Sequence, residues 1–403
     1  MTADHQVRIE KWVYGGDGLG RLDGRVILAP RVLPGELVRF EAEREKPGLV
    51  HAKPIEILEP APARIAPDCP YFGRCGGCHY QHAGYEYQVE QKLAVLRETL
   101  QRVGRIEGPE AINLVAGPPW EYRNRVQLHF DQGEAGFLEA GSHRLCPVER
   151  CAVSSPRLNE TLASLRTMIS DRRFPRFLRS LELFTNETVV QVNVLETAGP
   201  RLARSFFDWC AETIPGAGAP ALDYIAAGEG YRVGHRSFFQ VNRFLIDRLV
   251  ETALDGFPGG TALDLYAGVG LFSLPLARRG GEVTAVESGA GAQIDLRFNA
   301  ERAALTIKSV QDAADRYLAS LEQPPDFVLA DPPRTGLGPA VVGHLVRLRP
   351  RHLTIVSCDP ATLARDLRGL LDGGFALEHL TMVDLFPQTA HIESVARLRH
   401  PGA

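Results

Sequence analysis

The sequence predicts an α/β protein in which a doubly wound domain follows a small N-terminal β-barrel and a central α+β module. Three observations predict it. From about residue 236 onward, buried apolar strands alternate with amphipathic helices, the pattern of a parallel sheet. The first 58 residues read as short alternating strands broken by glycines. The stretch between mixes both patterns around a cysteine cluster.

Residues 1–60 carry Gly15, Gly16, Gly18, Gly20 and Gly24 between alternating apolar runs, which predicts an OB-like barrel. Pro60, Pro62 and Pro67 then mark a linker. Residues 61–235 form the central module. In it Val89, Leu93, Leu96 and Leu100 fall at helical spacing and predict a helix over 86–103, which can pack on the domain that follows. Strands NRVQLHF, LELF and TVVQVNVL and a helix near 156–170 complete the module. Residues 236–403 read as helix 240–255, strand ALDLYA, a helix, strand VTAVE, helix 290–303, strand DFVLAD, helix 339–347, strand HLTIVSC, helix 360–372 and a final strand pair.

At 403 residues the chain exceeds one ordinary core. Its 44% apolar and 23% charged residues are those of a globular protein. No apolar run reaches the roughly 18 residues of a membrane span, and MTADHQVRIEKW lacks the apolar core of a signal peptide, so a cytoplasmic protein is expected. A net charge of −4 gives no global argument for nucleic acid. The arginines are bunched, however, at 97–125 and at 166–179. The seven cysteines, an odd number, speak against a disulfide framework and for metal, catalysis or packing.

Strand ALDLYA runs into Gly268-Val269-Gly270, where glycines let a ligand approach the backbone. Glu287 ends the next strand, placed to hold ribose hydroxyls. A dinucleotide fingerprint would carry Gly or Ala where Ser273 stands. Asp264, just before the turn, suits a ligand with a positive amino-acid end and no phosphate, which favours S-adenosylmethionine over NAD.

Two further strand tips carry chemistry. Asp331 opens Asp331-Pro332-Pro333-Arg334 after strand DFVLA. Cys358 ends strand HLTIVSC just before a proline-initiated helix, a location that lowers a thiol's pKa. A thiolate there can add to C6 of uracil and make C5 enolate-like, ready to take a methyl group. A base must then remove the C5 proton. Glu393 opens the last strand, and His391 is the rival base with the better-placed ordinary pKa.

The series D-P-P-R-x-G, S-C-x-P-A-T-L-A-R-D and F-P-x-T-x-H-x-E, with Ser237–Asn242 (SFFQVN) before it, resembles the bacterial RNA (uracil-5-)methyltransferases over essentially the whole chain. The resemblance implies a Rossmann-like class I methyltransferase domain behind a TRAM barrel. It implies Cys358 as nucleophile, Glu393 as base, and Asp331 in contact with uracil and the methyl donor. It puts Gln240, Tyr266, Glu287 and, through a looser alignment, Asp312 around S-adenosylmethionine. The family commonly has Asn after the nucleophile; Asp359 stands here and is expected to raise the Cys358 pKa.

Cys69-x5-Cys75-Gly-Gly-Cys78 is too widely spaced at its first gap for the usual zinc pairs, and it needs a fourth thiolate to hold an iron–sulfur cluster. Cys146 and Cys151 are the candidates. The resemblance favours Cys151 and implies a [4Fe-4S] cluster, while Cys210 beside Trp209 reads as packing. It also implies an RNA partner, 23S rRNA ahead of tRNA, with Arg125 ahead of Arg123 as the arginine reaching the target and with Trp12, Tyr14 and Arg31 as barrel contacts. No protein partner is readable. The competing readings are an RNA-binding module without catalysis, and a D-P-P amine methyltransferase that would not need Cys358.

Overall fold

The computed structural model describes residues 5–109, 111–218, 221–235 and 237–402. Strands β1 (His5–Trp12), β2 (Asp17–Leu22), β3 (Arg25–Pro30), β4 (Leu37–Lys46) and β5 (Leu49–Glu59) close into a barrel in the order β1-β2-β3-β5-β4. Val7, Ile9, Ile27, Val38 and Phe40 point inward at alternate positions and fill it. A Cβ on Gly18 would fall 2.5 Å from Val32 and 2.8 Å from Ile9, so β2 can cross this core only with a bare backbone there.

The central segment holds α1 (Tyr85–Gly104), β6 (Asn113–Val115), β7 (Arg125–Asp131), β8 (Glu134–Leu138), β9 (Leu145–Pro147), α2 (Pro156–Ile169), β10 (Leu178–Thr185), β11 (Val190–Thr197), α3 (Arg204–Thr213), β12 (Ala221–Ala226) and β13 (Glu229–Gly234). An antiparallel sheet, β11-β10-β7-β8-β9, shares its core with α2 and α3 through Leu158, Leu162, Leu165, Phe206 and Trp209. Cys210 is buried in that core.

The C-terminal segment adds α4 (Ile246–Leu254), β14 (Gly260–Leu265), α5 (Ser273–Arg278), β15 (Gly281–Val286), α6 (Ala290–Arg302), β16 (Ile307–Val310), α7 (Ala314–Ser320), β17 (Phe327–Ala330), α8 (Gly338–Leu348), β18 (His352–Ser357), α9 (Pro360–Asp372), β19 (Ala376–Val383) and β20 (Glu393–Arg399). Its sheet has eight strands in the order β16-β15-β14-β17-β18-β20-β19-β6. The first five run parallel. β20 runs against both β18 and β19, so the sheet is mixed rather than wholly parallel. The cause is the connection: a loop of residues 384–392 returns the chain directly, whereas a parallel return needs a helical crossover.

Helices cover both faces of the sheet. On one, α1 from the central segment packs on α9 and shares a core with α8, and the barrel's Trp12 and Leu33 enter the same cluster. On the other, α4 and the β12–β13 hairpin pack together. Trp12 stacks on Tyr80, planes 2° apart and centroids 3.9 Å apart, and its indole N–H donates to the Val32 carbonyl at 2.6 Å. It is therefore a joint between barrel and body, not the RNA platform expected of it.

Helix 240–255 begins only at Ile246. Tertiary hydrogen bonds hold the residues before it out of the helix: Asn242 donates to the Leu385 carbonyl at 3.0 Å and accepts from the Phe244 N–H, and the Val241 carbonyl accepts from Asn124. Among the described residues no helix is long and apolar enough to cross a membrane.

Candidate active site

The parallel strands end on one side of the sheet, and the predicted site residues gather there. β14 leads into Tyr266, Gly268 and Gly270, all left-handed, with φ of 61°, 54° and 95°. For Tyr266 that backbone costs about 1–2 kcal/mol, strain of the kind kept at functional sites. A Cβ on Gly270 would lie 2.8 Å from Leu274. The Glu287 carboxylate braces the turn, accepting from the Gly268 N–H at 2.9 Å and the Gly289 N–H at 2.6 Å. Beside it lies a cleft of about 340 Å³ lined by Tyr266, Ser288, Asp312, Asp315, Pro333 and Thr335. The Ala313 N–H and Arg316 hold the Asp312 carboxyl below its ordinary pKa. Asp264 is fully buried; one carboxylate oxygen accepts from the Ser273 hydroxyl, and the other has no protein partner. Burial pushes its pKa up to about 7, against the Ser273 hydrogen bond, with Asp331 and Glu287 adding to the rise.

β17, β18 and β20 deliver the reactive groups. Asp331 follows β17 and accepts from the Gln240 amide at 3.4 Å. The antiparallel register pairs Ser357 with Ser394, which sets Cys358 and Glu393 at adjoining strand tips. Desolvation pushes Asp331 up to about 7. Glu393 is buried, and burial together with Asp331 raises it well above the carboxylate range, Arg334 opposing.

The expected acidic thiol is not found. Burial, then Glu393 and Asp331, push Cys358 up to about 12, with Arg334 the opposing charge and Asp359 a smaller raising one. The α9 N-terminus does not offset this, because the Asp359 side chain caps it, accepting from the Ala361 and Thr362 N–H groups at 2.9 Å each. The rival base His391 is pushed down to about 4 by burial and by Arg334, so it stands as a neutral and weakly basic ring.

Cys69, Cys75, Cys78 and Cys151 line one cavity of about 200 Å³, walled by apolar side chains that include Phe72 and Phe137. Cys146 is buried outside that lining. Burial raises the three thiols of the loop, Cys78 the furthest, to about 12, and neighbouring thiols add to the rise. Among the described residues no three His, Cys, Asp or Glu side chains converge closely enough to hold a single metal ion.

Comparison with known proteins then decides the family. Residues 226–400 match the tRNA (Uracil-5-)-methyltransferase family model. The chain is 35% identical to the 23S rRNA (uracil(1939)-C(5))-methyltransferase RlmD of Alkalilimnicola ehrlichii, over 97% of this chain and 95% of that one. It belongs to the RNA (uracil-5-)-methyltransferase family. An uncharacterized RNA methyltransferase of Aquifex aeolicus is 32% identical over 98% of both chains. The crystal structure of Pyrococcus abyssi tRNA (uracil-54, C5)-methyltransferase with S-adenosyl-L-homocysteine superposes with a TM-score of 0.76 at 25% identity, over 98% of this chain and 100% of that one. As a member of the family the chain is an S-adenosylmethionine-dependent enzyme that methylates uracil C5 in RNA.

Not every residue the family resemblance pointed to is free for ligands. Arg125 is bonded to Glu182 at 2.7 Å and to the Ser237 carbonyl at 2.9 Å, with its guanidinium over the Phe184 ring, and it also lines the open cleft that Arg123 lines. Arg123 lines both the cysteine cavity and an open cleft of about 880 Å³ that also includes His235 and Phe238. Arg31 is bonded to the Gly73 carbonyl at 2.7 Å. Tyr14 reaches from the barrel to the Cys358 carbonyl, at 3.4 Å. Sequence reasoning passed over Gln88, Lys92, Tyr122 and Gln388, which fix the loop before Glu393. The helical stripe over 86–103 held one available signal: Gln88 and Lys92 lie four apart, beside the apolar positions and on the face that is buried.

Proposed function

We propose that the protein methylates C5 of a uridine in 23S rRNA through a covalent bond between Cys358 and C6, with Glu393 as the base that ends the cycle. One observation carries the reading: the β18–β20 register puts a thiol and a buried carboxylate at adjoining strand tips, on the side of the sheet where Asp264 keeps an unpaired carboxylate oxygen.

The donor's positive amino group suits that oxygen, and Tyr266, Gly268, Gly270, Glu287, Asp312 and Gln240 frame the rest of its place. Three acidic groups crowded together resist ionisation. A cationic sulfonium among them lowers the cost of a Cys358 thiolate, so donor binding activates the nucleophile. Cys358 gives its proton to water and its sulfur bonds to C6; the C5=C6 electrons move toward the uracil O4. C5 then takes the methyl carbon, and the methyl–sulfur bond breaks to leave S-adenosylhomocysteine. Glu393, protonated at rest, also loses its proton to water as the sulfonium offsets the crowded charge; its carboxylate then removes the C5 proton, the double bond re-forms, and the C6–sulfur bond breaks to free the thiolate. Asp331, largely protonated below a pKa of about 7, is suited to donate a hydrogen bond to a uracil oxygen. RNA enters by the cleft at Arg123 and Phe238, the target base swung out of its stack.

Cys69, Cys75, Cys78 and Cys151 hold a [4Fe-4S] cluster in this reading. When bound, it supplies cross-linking of the 69–78 loop to the loop at 151, between β9 and α2; the uracil chemistry calls for no electron. Cys151 rather than Cys146 completes the set because it alone of the two lines the cavity.

A second reading, a tRNA substrate, is favoured by the full-length superposition on a tRNA enzyme. The closer sequence match to the RlmD enzymes favours rRNA. Mass mapping of 5-methyluridine in rRNA and tRNA from a strain lacking the protein tests both. Loss at a 23S site with tRNA intact is expected; loss in tRNA alone selects the second reading, and no loss anywhere overturns both.

A further inference from the structure

Phe386-Pro387-Gln388-Thr389 is a tight turn: the Thr389 N–H donates back to the Phe386 carbonyl at 3.3 Å, and Gln388 sits at φ 66°. With Pro in the second place and a left-handed third residue it is a type II turn, whose third position belongs to Gly or Asn. Glutamine there is strained, and its side chain shows what the strain serves. The Gln388 Oε1 accepts from Gln88 Nε2 at 2.9 Å, and its own N–H donates to Gln88 Oε1 at 3.1 Å. Its carbonyl accepts from the His79 and Tyr80 N–H groups at 2.8 and 3.1 Å. Both glutamines are buried, and Gln88 also donates to the Ala83 carbonyl at 2.9 Å.

Both ends of the loop are held as well. Upstream, buried Lys92 donates to Asp384 at 2.7 Å and to the Phe386 carbonyl at 2.9 Å, and the Tyr85 hydroxyl donates to Asp384 at 2.8 Å. Downstream, the Ala390 N–H donates to His79 Nδ1 at 3.3 Å, three residues before Glu393.

We propose that Gln88 on α1 is a positioning residue for the proton-removal step: by clasping Gln388 it fixes the turn from which the chain enters β20, and so the aim of the Glu393 carboxylate. The proposal rests on the reading of Glu393 as the base. Strand pairing sets the register of β20, while the clasp sets the turn that ends at Thr389, four residues before its first residue, which pairing alone leaves free.

The test is Gln388→Gly in the full-length enzyme, with unmodified total RNA from cells lacking the protein and methyl-labelled S-adenosylmethionine. Glycine accepts the left-handed backbone and keeps the contacts to His79, Tyr80 and the Gln88 Oε1, so only the side-chain clasp is lost. Turnover is expected to fall about tenfold, with KM for the donor within about twofold, while labelled enzyme–RNA adduct accumulates on a denaturing gel. Gln88→Met should give the same partition. Unchanged turnover, or adduct formation falling in step with turnover, would overturn the proposal. Glu393→Gln is run in parallel. If it traps adduct while Gln388→Gly does not, the clasp fails alone; if Glu393→Gln traps none, the base assignment fails and the clasp falls with it.

Discussion

The strand-tip site and the cysteine cavity hold the same functional group in opposite company. In both, burial pushes thiols far above their ordinary range. At the strand tip the neighbours of Cys358 are Glu393, Asp331 and Asp359, with Arg334 the one opposing charge. In the cavity the charged neighbours that raise each thiol are other thiols, within largely apolar walls where Gln81 hydrogen-bonds Cys69 and Cys78. Neither place makes a thiolate by itself; each waits for positive charge. The lesson is in the kind of charge each admits. Carboxylates around a lone thiol suit a cation that comes and goes with every turnover, while four thiols in an apolar chamber suit one that stays.

The largest expected effect breaks the comparison at its first term. Cys358→Ala should lower methyl transfer more than about 10^4-fold while leaving donor binding and iron content unchanged; methylation that survives would return the amine methyltransferase reading. Glu393→Gln should cost about 10^2- to 10^4-fold, and in contrast to the alanine variant it should hold RNA covalently on a denaturing gel. Intact turnover with no adduct would remove Glu393 from its role.

The pH dependence sharpens the contrast. Only the deprotonated thiol is alkylated, so raising the pH must raise the rate. With Cys358 held at about 12, its iodoacetamide labelling at neutral pH should be on the order of a thousandfold slower than that of a free thiol of pKa about 8.5. The rate should climb about tenfold per pH unit from 7 to 11, with no plateau near 9. A plateau there would mean an acidic nucleophile and no need of a cation. The smallest effect separates the two candidate fourth ligands of the proposed cluster: of the roughly four irons per chain it would hold, Cys151→Ser should lose most and Cys146→Ser should keep them, by iron analysis and visible absorbance.

Much of this was legible in the chain because local pattern and tertiary role agreed. Helix 86–103 and the strands ending at Leu265, Ala330 and Ser357 carry their burial in their periodicity. Cys358, Glu393, Asp331 and Gln240 were named from their motifs and lie together in the fold. What stayed hidden is what long-range contact decides. Nothing near Asn242 announces that it will bond Leu385, 143 residues away. The β12–β13 hairpin was missed although its turn, Ala227-Gly228, adopts φ of 49° and 76°; Ala-Gly is a weak turn signal beside Asn-Gly. The electrostatics at Cys358 were half visible: the raising effect of Asp359 was expected and is found, but the burial that dominates the rise and the use of Asp359 as the helix cap were not.

The Trp12–Tyr80 stack and the reach of Tyr14 to the Cys358 carbonyl have a consequence for how the molecule can be dismantled. The barrel is not a cassette to be cut off and grafted elsewhere. A chain shortened to residues 236–403 would lose α1 from one face of its sheet and β6 from the edge, baring Leu363, Leu367 and Leu370 to water. Pieces of the catalytic half expressed alone should be greasy and short-lived.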